Sequence, residues 1–267
     1  MEKITVVYAG TRPSAGEAAE KLRKILPNYF NDWRVFSLKE FEENVPFLNE
    51  GILIVLGGDG TMLRAARRIT SPAVKVVGVN FGRIGYLCAV EPQELETMVS
   101  KLASGEYTVE NVMRLSVFVD DEFLAEALNE VYVSATKPGA IIEYRVIQRE
   151  QLASDVADGV ILATSVGSTA YAFSSGGPIV DEILQSVVVV PMASMTNLRS
   201  MVLSIHSPVH ISVVKGESQA LVDGHTSRPV KKGVVRVEKS PRSISMLAFD
   251  ERRLFSRRLR KRLYGKP

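Results

Sequence analysis

The sequence predicts an α/β domain followed by an all-β, sandwich-like domain, on three observations. Strand-like apolar runs alternate with helical spacings through the first hundred residues. From about residue 107 short strand-like runs dominate. Glycine clusters follow directly on buried strands.

The first run, Ile4-Thr5-Val6-Val7-Tyr8, is β-branched and ends in a turn cluster of Gly10, Pro13 and Gly16. Ala18, Ala19, Leu22, Ile25 and Leu26 then keep helical spacing until Pro27 stops them. Ile52-Leu53-Ile54-Val55-Leu56 is apolar on both faces, as a central strand of a parallel sheet is. Gly57-Gly58-Asp59-Gly60-Thr61 follows it, and Met62 to Arg68 is rich in helix formers. Val74–Val79 is a further buried strand that ends at Asn80-Phe81-Gly82-Arg83-Ile84-Gly85. Repeated βαβ units of this kind make a Rossmann-like open sheet. Beyond them, runs at 113–119, 131–135, 141–147, 159–164, 187–190, 209–214, 219–222 and 233–238 are separated by turn residues. The expected divisions are residues 1–104, 105–245 and 246–267, with the first boundary at Ser104-Gly105.

Composition narrows the function classes. Apolar residues at 46% and charged residues at 24% are ordinary globular usage, which excludes disordered and fibrous chains. The single cysteine, Cys88, can form neither an internal disulfide nor a thiolate-rich metal site, and a reducing cytoplasm is the expected compartment. The opening residues carry no signal-peptide pattern, and no apolar run approaches the roughly 20 residues of a membrane span. Net charge is only +3, yet Arg252, Arg253, Arg257, Arg258, Arg260, Lys261, Arg262 and Lys266 gather at the C-terminus. Such a tail suits nucleic acid or an anionic surface. The preferred reading is an amphipathic helix, because Phe255, Leu259 and Leu263 recur at i, i+4, i+8 and would face a core. Neither nucleic acid nor membrane is therefore an expected partner.

Two glycine-rich turns carry the chemistry. Glycines after the buried strand let a ligand approach the backbone of Gly57, Gly58, Gly60 and Thr61. The helix start that follows offers amide donors and a positive dipole, both suited to phosphate. A carboxylate repels phosphate, so Asp59 fits a role as proton acceptor for an attacking hydroxyl. Arg64, one turn along, is a candidate to bind phosphate or orient Asp59. A plain Asp-Gly turn is the alternative, but the doubled glycine favours function. The segment is neither a Walker loop nor a G-x-G-x-x-G fingerprint. The second turn runs from Asp158 through Gly167-Ser168-Thr169-Ala170-Tyr171 to Ser174 and Gly176-Gly177-Pro178. Its clustered hydroxyls suit a polar ligand, with Tyr171 as a stacking group. Asn129-Glu130 places an amide beside a carboxylate at a strand junction, which suits a base edge or ribose hydroxyls. His206 and His210 have metal-ligand spacing, but Pro208 between them rules out a helical pair, and no metal site is expected. Ser168 lies in no nucleophile elbow.

Together these segments resemble the NAD kinase family. The likeness rests on Gly57-Gly58-Asp59-Gly60-Thr61, Asn80 through Leu87, Leu128-Asn129-Glu130 and Asp158 through Pro178, in the family's order. The family's Thr-Pro-Thr-Gly-Ser-Thr-Ala-Tyr reads Thr164-Ser165-Val166-Gly167-Ser168-Thr169-Ala170-Tyr171 here, and the basic residue common before Asp158 is replaced by Val156-Ala157. The resemblance implies that Asp59 deprotonates the 2′-hydroxyl of the NAD adenosine ribose, giving NADP. It implies that Gly60 and Arg64 lie against nucleotide and that Asn129, Glu130, Thr169, Ala170, Tyr171 and Ser174 hold the adenosine part. It places Asp158 at the nicotinamide end, with Ala193, Met195 and His225 around the pocket. It also implies ATP or polyphosphate as donor, with Mg²⁺ entering beside ATP. A C-terminal segment returning to the first domain and a homodimer or homotetramer, with Asp158 supplied by a neighbouring chain, are implied too. A lipid kinase sharing the Gly-Gly-Asp-Gly loop and a non-catalytic nucleotide sensor are the alternatives. Asp59 counts against the sensor, since a pure phosphate binder gains nothing from a carboxylate there.

Overall fold

The computed structural model describes residues 2–88, 90–249 and 255–265. The chain divides into two compact units, Met1–Val112 with Arg242–Pro267, and Met113–Pro241.

The first unit contains β1 (Ile4–Tyr8), α1 (Pro13–Ile25), β2 (Trp33–Ser37), α2 (Leu38–Asn44), β3 (Gly51–Gly57), α3 (Asp59–Ala66), β4 (Val74–Asn80), α4 (Leu95–Ser104) and β5 (Thr108–Val112). Local chemistry sets the helix limits. Pro13 opens α1, where its missing N–H costs nothing. Ser37 and Glu40 close a reciprocal capping box on α2. Gly105, at φ +74°, ends α4 in the left-handed conformation. After the second unit the chain returns to the first, adding β18 (Ile244–Ala248) and α6 (Phe255–Tyr264). The sheet order is β2-β1-β3-β4-β18-β5, parallel except for the β18–β5 pair. Strand order reverses between β1 and β3. In open α/β sheets a ligand crevice opens there, beyond the strands' carboxyl ends.

The second unit holds β6 (Leu115–Val119), β7 (Glu122–Ala127), β8 (Glu130–Ala135), β9 (Ile142–Gln148), β10 (Glu150–Ala157), β11 (Gly159–Thr164), α5 (Tyr171–Ser174), β12 (Ser186–Met192), β13 (Met201–Ser204), β14 (Val209–Lys215), β15 (Ser218–Val222), β16 (Thr226–Val230) and β17 (Val234–Lys239). They form two antiparallel sheets, β10-β9-β14-β17-β6-β7 and β13-β12-β11-β8-β15-β16. Val117, Tyr144, Ile211 and Val235 of one sheet share a core with Val133, Leu162, Val189 and Ala220 of the other. β11 is buried on both faces: Val160 and Leu162 enter that core, while Ile161 and Ala163 pack with Ala172 and Val180. This second, smaller cluster seats the turn that follows β11.

Three expectations change. β5 pairs along its whole length with β18, so the first change of unit falls after Val112 rather than at Ser104-Gly105. For the same reason the return starts at Arg242, ahead of residue 246. The C-terminal helix forms, but Leu263 is 42% exposed, and the buried residue of α6 is Arg258. Of the eight C-terminal cations, Arg252, Arg253 and Lys266 lie outside the described residues.

Candidate active site

In the first unit a cleft of about 800 Å³ opens beyond the carboxyl ends of β1, β2, β3 and β4. The loops and helices that follow these strands line it with Arg12, Lys39, Arg64 and Arg83, and Asp59 is the one acid among the lining residues. Strand β3 delivers Gly57 and Gly58, and Asp59 begins α3. Packing leaves no room for a side chain at Gly57 and little at Gly82. A Cβ on Gly57 would stand 2.4 Å from the Thr61 hydroxyl oxygen, and one on Gly82 would stand 3.1 Å from the Gly58 Cα. The two glycine loops thus pass backbone against backbone. Gly60 differs, because its Cβ would meet nothing within 4 Å, leaving the backbone open toward the cleft.

The Asp59 carboxylate is held from the loop after β4. Oδ2 accepts the N–H of Tyr86 at 3.0 Å, and Oδ1 accepts that of Leu87 at 2.8 Å. Each oxygen keeps a further lone pair able to take a proton. That loop is itself fixed by buried Asn80, whose Oδ1 accepts the Gly82 N–H at 2.9 Å. Gly85, at φ +64°, is crowded against the Asn80 amide, where no Cβ would fit. Arg64 does not reach toward Asp59 for its partner. Its guanidinium pairs with both oxygens of Glu42 on α2, and that bond raises its pKa further. Arg12 donates to the Phe81 carbonyl at 2.5 Å, tying the loop after β1 to the loop after β4.

In the second unit Asn129 and Glu130 are buried where β8 begins. Asp223 organises them: its carboxylate accepts the N–H groups of Leu128, Asn129 and Glu130 at 2.9, 2.8 and 3.0 Å. Gly167 lies so close to Asn129 that a Cβ would stand 2.0 Å from its carbonyl oxygen. Thr164 links the two segments, donating its hydroxyl to the Leu128 carbonyl at 2.7 Å and accepting the Gly167 N–H at 2.9 Å. Burial, and then the charge of Asp223, push the Glu130 carboxyl up to about 8, against an opposing bond from the Tyr171 N–H. Its Oε2 has no hydrogen-bond partner.

The hydroxyls of the Gly167-Ser168-Thr169-Ala170-Tyr171 turn divide between scaffold and surface. Ser168 donates to the Ser165 carbonyl at 2.6 Å and accepts the Val180 N–H at 3.0 Å. Thr169 is buried and donates to the Val166 carbonyl at 2.9 Å. Ser165 and Val166, the departures from the family pattern, are therefore inside the turn, with Ser165 also bonded to the Leu184 carbonyl. Ala170 is half-buried, while Tyr171 and Ser174 are exposed. The Tyr171 ring meets Tyr132 edge to face at 5.7 Å, and burial, with Tyr171 and Asp158 nearby, raises the Tyr132 hydroxyl pKa. Asp158 itself is exposed. Next to it, buried Asp155 accepts hydroxyls of Ser194 and Thr196, each at 2.8 Å. This fixes the turn that carries Ala193, at φ +53°, and exposed Met195. His225 is exposed after the Asp223-Gly224 turn.

Comparison with known proteins decides the family. The model of the ATP-NAD kinase N-terminal domain matches residues 2–107, and that of the ATP-NAD kinase C-terminal domain matches residues 128–249. The chain belongs to the NAD kinase family. An NAD kinase of Thermococcus sibiricus is 35% identical over 228 residues, covering 84% of this chain and 80% of the relative. One from Pyrococcus abyssi is 34% identical over 229 residues, covering 83% and 79%. A crystal structure of an NAD kinase from Archaeoglobus fulgidus in complex with ATP superposes with a TM-score of 0.76 at 27% identity, covering 96% of this chain and 98% of that one. Yeast NADH kinase complexed with NADH shares the fold at a TM-score of 0.86 and 20% identity, covering 99% and 88%.

Within this NAD kinase, sequence reasoning missed the residues that do the holding. Asp223 was visible only as part of an Asp-Gly turn, and its φ of +46° is the mark of that turn. Asp155 gave no local signal, because its partners come from another strand and a distant turn. Arg12 and Lys39 belong to the cleft through strand order, which no short motif records, and Arg83 lay in the motif at residues 80–87 without being singled out as a lining cation. Among the described residues no group of three or more His, Cys, Asp or Glu is placed to hold a metal ion. Among the same residues no helix is long and apolar enough to cross a membrane.

Proposed function

We propose that this NAD kinase uses Asp59 as the general base that activates the 2′-hydroxyl of the adenosine ribose of NAD. The observation that carries the reading is the Asp59 carboxylate, fixed by two backbone amides at the head of α3 in a cleft whose other charged lining residues are all cations. The ribose oxygen attacks the γ-phosphorus of the triphosphate as the bond to the β-γ bridging oxygen breaks. Asp59 takes the hydroxyl proton, and the products are NADP and the nucleoside diphosphate. Gly57, Gly58, Gly60 and Thr61 lie against phosphate, with Arg12, Lys39 and Arg83 as countercharge. Arg64, neutralised by Glu42, shapes the cleft wall. The cations fit a polyanionic donor and ATP is the donor proposed, supported by the ATP held in the Archaeoglobus fulgidus structure. With one tied carboxylate in the cleft, the described residues form no cage for a resident ion, and Mg²⁺ enters as part of the donor complex. Asn129, Glu130, Ala170, Tyr171 and Ser174 take the adenosine, Asp158, Ala193 and Met195 the nicotinamide end, and His225 borders the pocket. Thr169 contributes through the turn it closes. Incubating the protein with NAD, Mg²⁺ and ATP, another triphosphate or polyphosphate tests the reading, with NADP detected by a strictly NADP-dependent dehydrogenase. NADP formation with ATP is expected; none with any donor would overturn it.

The family resemblance also supports a homodimer or homotetramer in which Asp158 serves a neighbour's site, and its exposure is compatible with that role. Asp59→Asn and Asp158→Ala chains are each expected to be nearly inactive at limiting NAD. Random pairing of equal amounts should restore roughly a quarter of the wild-type sites. A mixture as inactive as its parents, with chain exchange verified by mass, would show that Asp158 acts within its own chain.

A further inference from the structure

We propose that α6 belongs to the catalytic apparatus, with Arg258 as a positioning residue that holds the amides under Asp59. The inference rests on the reading of Asp59 as the base. Asp59 is oriented by consecutive N–H groups of Tyr86 and Leu87, so its geometry is only as firm as that loop. Asn80 pins the loop's first half through Gly82. The second half is gripped by α6. The Arg258 guanidinium lies over the Tyr86 ring at 5.3 Å from its centroid, and both side chains are almost fully buried. Arg258 also lies 4.0 Å from a carboxylate oxygen of Glu110 on β5. Almost one turn further, Lys261 pairs with Glu91 at 2.8 Å.

The helix thus spans the segment from Tyr86 to Glu91 with two cations, where its periodicity predicts apolar contacts. A buried guanidinium is an expensive way to pack a helix unless it is paired and stacked. Of the three residues suited to ordinary packing, Phe255 and Leu259 are only half-buried and Leu263 is exposed. The matched family region ends at residue 249, so this support comes from sequence beyond it. A general base acts only within hydrogen-bond reach of its proton, and a misplacement of about 1 Å can cost about a hundredfold in rate. Loosening Tyr86 should therefore reduce turnover without removing any group that touches NAD.

The test compares Arg258→Ala, Arg258→Lys, Arg260→Ala and Asp59→Asn in steady-state kinetics, with thermal unfolding of each. Arg258→Ala is expected to lower kcat ten- to a hundredfold while KM for NAD moves less than about threefold. Arg258→Lys, which keeps a cation over the ring, should recover most of that loss. Arg260→Ala, on the exposed side of α6, should match wild type. A folded Arg258→Ala protein with wild-type kcat overturns the proposal, as does a loss that lies wholly in KM. Should Arg258→Ala fail to fold, Tyr86→Leu keeps the amide and removes the ring. It should show the same fall in kcat, and wild-type turnover would again refute the role. Asp59→Asn separates the two ideas. If that variant stays active the base assignment fails; if it is dead and Arg258→Ala is normal, only the role of α6 fails.

Discussion

The two units build their functional residues by opposite means. In the first, backbone does the holding: glycine loops pass in contact, and two amides fix a carboxylate that faces an open cleft. In the second, carboxylates do the holding: Asp223 gathers three consecutive amides, and Asp155 gathers the hydroxyls of Tyr144, Ser194 and Thr196. An acid therefore has contrary meanings on the two sides. Asp59 is the group held and is free to react, whereas Asp223 and Asp155 are occupied by the chain itself. Removing the first should remove chemistry; removing the others should disturb the surfaces they shape.

The sharpest attack on that contrast is Asp59→Asn, nearly isosteric and less charged, with its NH₂ set against one of the two amides that Asp59 accepts. It should lower kcat about 10²–10⁴-fold while NAD affinity stays within a few-fold. Turnover close to wild type would return Asp59 to a plain turn residue. Asp223→Asn should give the crossed pattern. The amide keeps one acceptor oxygen but sets an NH₂ group against a backbone N–H. The amides of residues 128–130 are then imperfectly paired, at a cost of about 1–3 kcal/mol. NAD affinity, measured by calorimetry, should fall ten- to a hundredfold, with kcat reduced less than tenfold. An unchanged dissociation constant would break the assignment of Asp223 as organiser of Asn129 and Glu130.

The same contrast explains what the sequence made legible. The Gly57–Thr61 loop could be read because backbone requirements are written locally, in glycines after an apolar strand. Asp223 and Asp155 could not, because the amides Asp223 holds lie 93 to 95 residues away, and Asp155 joins Tyr144 of the neighbouring strand to hydroxyls 39 and 41 residues on. Strands follow a parallel rule. In the second unit the unforeseen ones, β7, β10, β13 and β16, are the four sheet edges. Edges carry charge or proline in place of a clean apolar alternation, as Glu122, Glu126, Glu150 and Pro229 do here. In the first unit β2 and β5 are edges too. β18 is the exception, an interior strand of five buried residues. It went unseen because it is short and its partners β4 and β5 lie far back in the chain. The helical period of α6 was legible, but its packing was not. Periodicity counts leucines, and it cannot foresee a guanidinium stacked on a tyrosine.

Glu130 gives the smallest effect and the most direct test of carboxylates acting under burial. Removal from water, then the negative charge of Asp223, raise its carboxyl to about 8 from an ordinary 4.5, although the Tyr171 amide pulls the other way. Between those values the folded chain keeps a proton that the unfolded chain has released. Stability from this group is therefore complete below about 4.5 and declines as pH rises through about 8. Glu130→Gln cannot ionise, so its unfolding midpoint should lack this part of the decline. Relative to wild type, the variant should gain roughly 5 °C in Tm between pH 5 and pH 9, with the change concentrated below about pH 8. Thermal melts of both proteins across that range provide the measurement. The difference cancels every other titrating group that the two chains share. Parallel curves would mean that Glu130 is already ionised in the folded protein at neutral pH. In that event Asn129 and Glu130 would present a negative charge to the adenosine, and Asp223 would hold their amides beside a second anion.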